Sequence, residues 1–173
     1  LDTKNGTVNI LENNFTKISS AKKDKIRGEK MGYIFQMFNL IPYLSVLENI
    51  LLPCVLNKKR QQKFKTKAEQ LDKTLILCQK FKIDTLLNHK VTDISIGQQQ
   101  RVAAARALLG NPELIIADEP TSAIDDELQE IFIRTLMEQC ENQNTALLFV
   151  SHDKQLGSHF QRQVSLPEIN RAL

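Results

Sequence analysis

An excess of charge of either sign is almost lacking. The chain carries 23 Lys and Arg against 20 Asp and Glu, a net charge of +3, so no global field argues for nucleic acid as a partner. Cysteine is sparse. Cys54, Cys78 and Cys140 lie far apart, with no CxxC pair and no neighbouring histidine. That argues against a zinc site and suits a reducing compartment. No apolar run is long enough to span a bilayer. There is no internal repeat, no low-complexity segment and no signal peptide, and the first residue is Leu1, not Met. The opening LDTKNGTVNI, a turn around Asn5-Gly6 followed by a strand, reads as if cut from something longer, and we expect a fragment.

What is present is ordinary in bulk: 173 residues, 42% apolar and 25% charged. That suffices for one domain with a real core and room for an inserted subdomain. Thr7 to Leu11 reads as a short strand. Ser20 is expected to cap a polar helix running to about Lys30, and MGYIFQ (31–36) is the next strand. In LSVLENILLP, Ser45 and Glu48 form a capping box, and the helix is expected to stop near Pro53. The segment from Lys58 to Phe81 is basic, then helical, with Ala68, Leu71, Leu75 and Cys78 on one face. The basic cluster Lys58, Lys59, Arg60, Lys63, Lys65 and Lys67 reads as a solvated helix face. Gln98 to Leu109 is a strong helix ended by Gly110-Asn111-Pro112. LIIA (114–117) is a buried strand. A helix capped by Asp125 or Asp126 follows, with Leu128, Ile131, Phe132 and Leu136 as its apolar face. TALLFV (145–150) is another strand. Strand, helix, strand makes a βαβ unit with parallel strands, whereas residues 40 to 95 read as almost wholly helical.

Ligands of parallel α/β sheets sit at the carboxyl ends of strands. Three such ends carry polar residues here: Gln36, the adjacent acids Asp118-Glu119, and His152. Taken alone, the acid pair is most simply a polar strand end, with Pro120 as stop and Thr121-Ser122 as cap. A lone histidine after an apolar run is usually only a strand end. Their joint occurrence, in this order, is far less expected by accident. In DISIGQQQR, a serine and a glycine open a helix, leaving backbone N–H groups and the positive dipole end free for phosphate. With an acid pair downstream, the combination suggests nucleotide phosphate and magnesium.

These residues in sequence resemble the ATP-binding subunit of an ABC transporter. YIFQMFNLIPYLSVLENI resembles the Q-loop region, ISIGQQQRVAAARAL the signature motif, LIIADEP the Walker B strand, SAID the D-loop and LLFVSHD the switch-histidine strand. The resemblance covers about residues 1 to 160. The wording FNLIPYLSVLENILLP is most similar to the subgroup serving lipoprotein-releasing and macrolide or peptide export systems. The resemblance implies an α/β fold: a P-loop NTPase (ABC ATPase) core with a parallel sheet and an inserted α-helical subdomain, its N-terminal part missing. Residues 1–36 would be the remnant of the N-terminal core region, 37–96 the helical subdomain, and 97–173 the signature helix and RecA-like core.

The resemblance also implies ATP and Mg²⁺ as cofactors. Asp118 would hold Mg²⁺, and Glu119 would polarise the attacking water. His152 would contact the γ-phosphate, and Gln36 would sense both Mg²⁺ and that water. Ser95, Gly97 and Gln98 would reach ATP on a second subunit in a head-to-tail dimer, with Asp125 at its seam. The implied partner is an integral membrane permease, with no nucleic acid, and the implied place is peripheral, on the cytoplasmic face of the inner membrane. Two features depart from the family. No GxxxxGK[ST] loop occurs in the chain, which truncation would explain, and Ile96 stands where the signature usually has glycine. The alternatives are an ABC-type ATPase of DNA repair or chromosome maintenance, disfavoured by the short stretch between Gln36 and Ser95, and a non-catalytic truncated remnant.

Overall fold

The computed structural model describes residues 6–169 except Ala123 and Asp125, with nothing said of the Asp126 side chain. Asp125, expected at a dimer seam, thus lies outside the described residues. A small antiparallel hairpin, β1 (Asn9–Ile10) with β2 (Asn13–Asn14), comes first. It is shorter than the strand expected over 7–11 because Leu11 and Glu12 turn the chain through left-handed backbone, φ 48° and 62°. Helix α1 (Ser20–Lys30) follows, capped by Ser19, one residue earlier than expected, whose Oγ accepts from the Lys22 N–H. Then β3 (Met31–Ile34) enters the main sheet.

The middle of the chain supplies α2 (Val46–Leu56), α3 (Lys58–Gln61) and α4 (Lys67–Lys80), then two single 3₁₀ turns. Helix α5 (Ile96–Leu108), β4 (Leu114–Asp118), α6 (Asp126–Asn142), β5 (Ala146–Val150), a 3₁₀ helix (Lys154–His159) and a short α7 (Leu166–Ile169) complete the order. The main sheet is three-stranded and parallel, in the order β3-β4-β5. Register pairs Ile34 with Ala117 and Asp118 with Val150, so all three strands deliver their carboxyl ends to one edge.

Both capping boxes form. Ser45 Oγ accepts from the Glu48 N–H while Glu48 Oε2 accepts from the Ser45 N–H, and Ser95 and Gln98 do the same for α5. The first pulls the Glu48 carboxyl below its ordinary pKa, chiefly through the Ser45 backbone N–H. Contrary to expectation, α2 does not stop at Pro53. The stripe Val46, Ile50, Cys54 is fully buried and carries the helix through it, and the Pro53 carbonyl still accepts from the Asn57 N–H. Packing here outweighs the one backbone bond that proline removes.

Two helix faces are rotated from expectation. In α4 the buried residues are Thr74, Leu77 and Cys78, with Leu71 and Ala68 exposed. In α6 they are Gln129, Phe132, Ile133, Leu136, Gln139 and Cys140, while Leu128 and Ile131 are exposed. The buried sets follow i, i+3, i+4, i+7 spacing and face α5 and β5, so tertiary packing chose between two neighbouring apolar stripes. Arg60 likewise departs from the solvated basic face. It is 2% exposed, and its guanidinium donates to the carbonyls of Met31 and Leu109, at 2.8 and 3.1 Å.

One hydrophobic core runs from Ile34 to Leu156, with α5 at its centre. From Val102 to Leu108 every α5 residue is buried, four of them alanines. Small side chains let the helix lie close on β3. A Cβ placed on Gly32 would stand 2.5 Å from the Ala107 carbonyl oxygen, a backbone atom that cannot swing aside. We therefore expect Gly32→Ala to cost about 1–3 kcal/mol by overpacking, read as a lower urea midpoint with unchanged slope. An unaltered midpoint would show that α5 is free to back away.

Burial also pushes the Cys78 and Cys140 thiols up to about 12. Because these folded pKa values are raised, the associated stability is fully present below the ordinary value of 9.0 and is lost as pH climbs from 9 towards 12. The unfolding temperature should fall over that window, and less steeply in Cys78→Val/Cys140→Val. Equal slopes for the two proteins would remove the thiols from the account.

Candidate functional site

The carboxyl edge of the sheet gathers the expected residues. After Ile34 the chain turns at once, the Phe38 N–H reaching the Phe35 carbonyl at 2.9 Å, so β3 ends two residues before the expected Gln36. Gln36 is exposed in that turn. At the neighbouring strand end, Asp118 is still in register with Val150 and exposed to solvent. Glu119 is not a further strand residue. Its φ is 45°, left-handed backbone that a non-glycine residue rarely adopts, held by its N–H on the Val150 carbonyl at 3.0 Å.

That twist takes Glu119 out of strand alternation and separates the environments of the two acids. Asp118 stays in water, whereas the Glu119 side chain is only 14% exposed. Ser151, at the end of β5, brings its hydroxyl to within 3.4 Å of Glu119 Oε2. The other carboxylate oxygen, Oε1, is shielded from solvent and has no hydrogen-bond partner among the described residues. Its nearest cationic candidate, His152 Nε2, stands 3.7 Å away, too far for a hydrogen bond, on a side chain 99% exposed. A buried acceptor left open in this way is costly to maintain and is the kind of feature a bound water or ligand would complete.

The start of α5 is the other half of the expected site. Ser95 is N-cap, and the backbone N–H groups of Ile96 and Gly97 have no acceptor among the described residues. The Ser95 hydroxyl oxygen and the Gln98 amide oxygen are engaged with each other's backbone, so of the Gln98 side chain only its NH₂ is left for a ligand. Ile96, the first residue of α5 and one of these donors, is 56% exposed. Among the described residues no hydrogen bond joins Ser95, Gly97 or Gln98 to Glu119 or His152. The loop after β4 links the two sets: the Gln100 amide donates to the Pro120 carbonyl, and Ile124 lies 3.4 Å from where a Gly97 Cβ would be.

Sequence reasoning missed Ser151 and Gln100. Both lie inside motifs, Ser151 in LLFVSHD and Gln100 in ISIGQQQRVAAARAL, but a serine after a strand and the third of three glutamines look like surface.

The donor set can be tested against Mg²⁺ and ATP. Among the described residues no three His, Cys, Asp or Glu side chains cluster as a metal cage. Mg²⁺ commonly keeps several waters and takes one or two carboxylates plus substrate phosphates, so the single exposed carboxylate of Asp118 fits it. The orphaned Glu119 Oε1 fits a water facing a phosphate, and the free N–H groups of α5 fit phosphate oxygens.

Comparison with known proteins agrees with this geometry. Residues 1–122 match the family described as ABC transporter. The lipoprotein-releasing system ATP-binding protein LolD of Hydrogenovibrio crunogenus (strain DSM 25203 / XCL-2) is 32% identical over 163 residues, covering 94% of this chain and 68% of LolD. Among solved structures, the dimeric form of a bacterial ABC transporter cassette superposes with a TM-score of 0.77 at 34% identity, covering 91% of this chain and 67% of the other. The same cassette in a dimeric post-hydrolysis state, bound to ADP and Pi, gives 0.76 at 34% identity over 90% and 66%. Sequence, fold and the order of the motifs agree: the chain belongs to the ABC transporter family of ATP-binding cassettes.

Proposed function

We propose that this chain carries the hydrolytic edge of an ATP-binding subunit of the lipoprotein-releasing type, coupling ATP hydrolysis to an inner-membrane permease from the cytoplasmic face. The observation that supports this most is the meeting of Gln36, Asp118, Glu119, Ser151 and His152 at one edge of a parallel sheet, with Glu119 Oε1 open. Asp118, with Gln36, would hold Mg²⁺, which supplies charge neutralisation for the phosphates. Glu119 Oε1 accepts a hydrogen bond from the attacking water, and the Ser151 hydroxyl on Oε2 fixes the carboxylate's orientation. His152, free to swing, donates to a γ-phosphate oxygen. Positioning and charge are most of what phosphoryl transfer requires.

Ser95, Gly97 and the Gln98 amide NH₂ would reach ATP held by a second subunit. The exposed side chain of Ile96 narrows that approach and weakens it. Among the described residues no helix is long and apolar enough to cross a membrane, and the apolar side chains exposed around Gln36 and α2, namely Met37, Tyr43, Val55 and Leu56, form the surface offered to the permease. We place the boundary between core and helical subdomain at residue 36, and the return to the core at residue 97.

In a subunit that also carries a GxxxxGK[ST] loop, Glu119→Gln should leave Mg²⁺-dependent ATP binding intact and cut turnover about 10²- to 10⁴-fold, the range for losing a positioned base. The ATP-bound dimer should then accumulate. Asp118→Asn should instead weaken Mg²⁺-dependent binding and trap little dimer. Indistinguishable behaviour of the two variants in nucleotide binding and sedimentation would sink the division of roles.

The 173 residues as they stand contain no glycine-rich loop and lysine for the phosphates. The donors they do offer are a few modest bonds at the α5 N-terminus, Gln36 and His152. We expect no tight ATP binding by this chain alone. Calorimetry giving a micromolar, Mg²⁺-dependent Kd would overturn that expectation and place a complete nucleotide site here.

A further inference from the structure

The turn that carries Gln36 contains two consecutive residues in left-handed backbone, Phe38 at φ 59° and Asn39 at φ 48°. Neither is glycine, and Phe38 is 7% exposed, so solvent does not stabilise the conformation. Such residues persist only where their surroundings over-determine them. The turn's own bonds are short-range, Phe38 N–H to Phe35 and Asn39 N–H to Met37. Next along the chain, the fully buried Asn49 holds residues 41–45, exchanging hydrogen bonds with both backbone groups of Ile41 and donating to the carbonyls of Leu44 and Ser45.

What fixes the left-handed pair comes from far away in sequence. Arg106, 9% exposed and in the last turn of α5, donates Nη1 to the Asn39 carbonyl at 2.7 Å and Nη2 to the Phe38 carbonyl at 2.5 Å. Among the described residues no carboxylate pairs with this guanidinium. Burial lowers its pKa from the ordinary arginine value, yet arginine stays charged in proteins. Both bonds are therefore charge-assisted, and their planar fork matches two adjacent carbonyls as a lysine cannot.

We propose that Arg106 is a positioning residue: its fork holds the Phe38-Asn39 turn in one conformation and makes the loop bearing Gln36 move as one body with α5. Ten residues of helix separate Arg106 from Ile96, about 15 Å of rigid rod at 1.5 Å per residue. A displacement at the α5 start, where phosphate donors lie free, is thereby delivered to the Gln36 turn without passing through the sheet. The consequence for Gln36 rests on the function proposed above; the tie between Arg106 and the turn does not.

The test uses the full natural chain without nucleotide, so its failure is separate from failure of the nucleotide reading. Cys54, Cys78 and Cys140 are buried, so a nitroxide added to native Met37→Cys labels position 37, whose parent side chain is 81% exposed. Arg106→Met should sharpen the spectrum at position 37 and Arg106→Lys should do so partly, whereas a label on Leu71→Cys in α4 should not change. The loss in unfolding temperature caused by Arg106→Met should also shrink by about half in an Asn39→Gly background, because glycine takes positive φ without strain. A merely space-filling role for Arg106 would give the same loss in both backgrounds. An unchanged spectrum at position 37 in folded Arg106→Met overturns the proposal, as do equal temperature losses with and without Asn39→Gly. Should Arg106→Met not fold, the spectrum of Arg106→Lys decides alone, an unchanged line shape overturning the tie.

Discussion

The close approach of α5 to β3 is the constraint on which the other features depend. Gly32 has no side chain, and α5 offers alanines at 103, 104, 105 and 107, so helix and strand meet at backbone distance. That contact buries α5 from Val102 to Leu108 and fixes how far along the sheet the helix begins. The free N–H groups at Ile96 and Gly97 and the carboxyl edge of the strands are thus placed by the same packing. A larger residue at 32 would move both together.

Within this frame the two adjacent acids are an electrostatic problem with a backbone solution. Two carboxylates on successive strand residues would sit on opposite faces, one of them buried. The left-handed φ of Glu119 breaks the alternation, leaving Asp118 in water and sheltering Glu119 beside Ser151. The strain is held by one backbone bond to Val150, which ties the acid's position to the strand that carries His152. Strain stored at this point, and not elsewhere along β4, follows the tendency of distorted backbone to collect where chemistry is done.

Much of this was legible in the residues, and the boundary is physical. Local signals read correctly: the capping box at Ser45, a helix opened at Ser95, the parallel βαβ order, and the strand ends that bring Asp118, Glu119 and His152 to one edge of the sheet with Gln36 just beyond β3. These depend on residues within a turn of each other or on topology. What failed depended on distant partners. Pro53 did not end α2, because the burial of Ile50 and Cys54 against the core outweighed one lost bond. The faces of α4 and α6 each had two apolar stripes, and only packing distinguished them. Arg60 read as solvent-facing among lysines, yet its carbonyl partners lie 29 and 49 residues away. The clamp of Arg106 on Phe38 and Asn39 spans a wider gap, 68 and 67 residues, and leaves no trace in local sequence.

The arginines share a chemistry that explains how a chain of nearly balanced charge fastens its central helix. Arg60, Arg101 and Arg106 all spend their guanidinium donors on backbone carbonyls, Arg101 on those of Gly97, Phe81 and Lys82. Desolvation lowers the pKa of each. Three lysine or arginine ion pairs among the described residues, by contrast, are exposed: Arg27 with Asp24, Lys30 with Glu113, Lys80 with Glu138. Exposed pairs contribute little and are screened by salt. A buried guanidinium on carbonyls avoids desolvating a second charge, and it caps loop ends that have no helical partner of their own. The bonds that hold α5 to the strand start, to the end of α4 and to the Gln36 turn are therefore the ones that ions in solution reach least. What remains open to solvent and ionic ligands is the sheet edge, where Asp118, His152 and Gln36 stand free to respond.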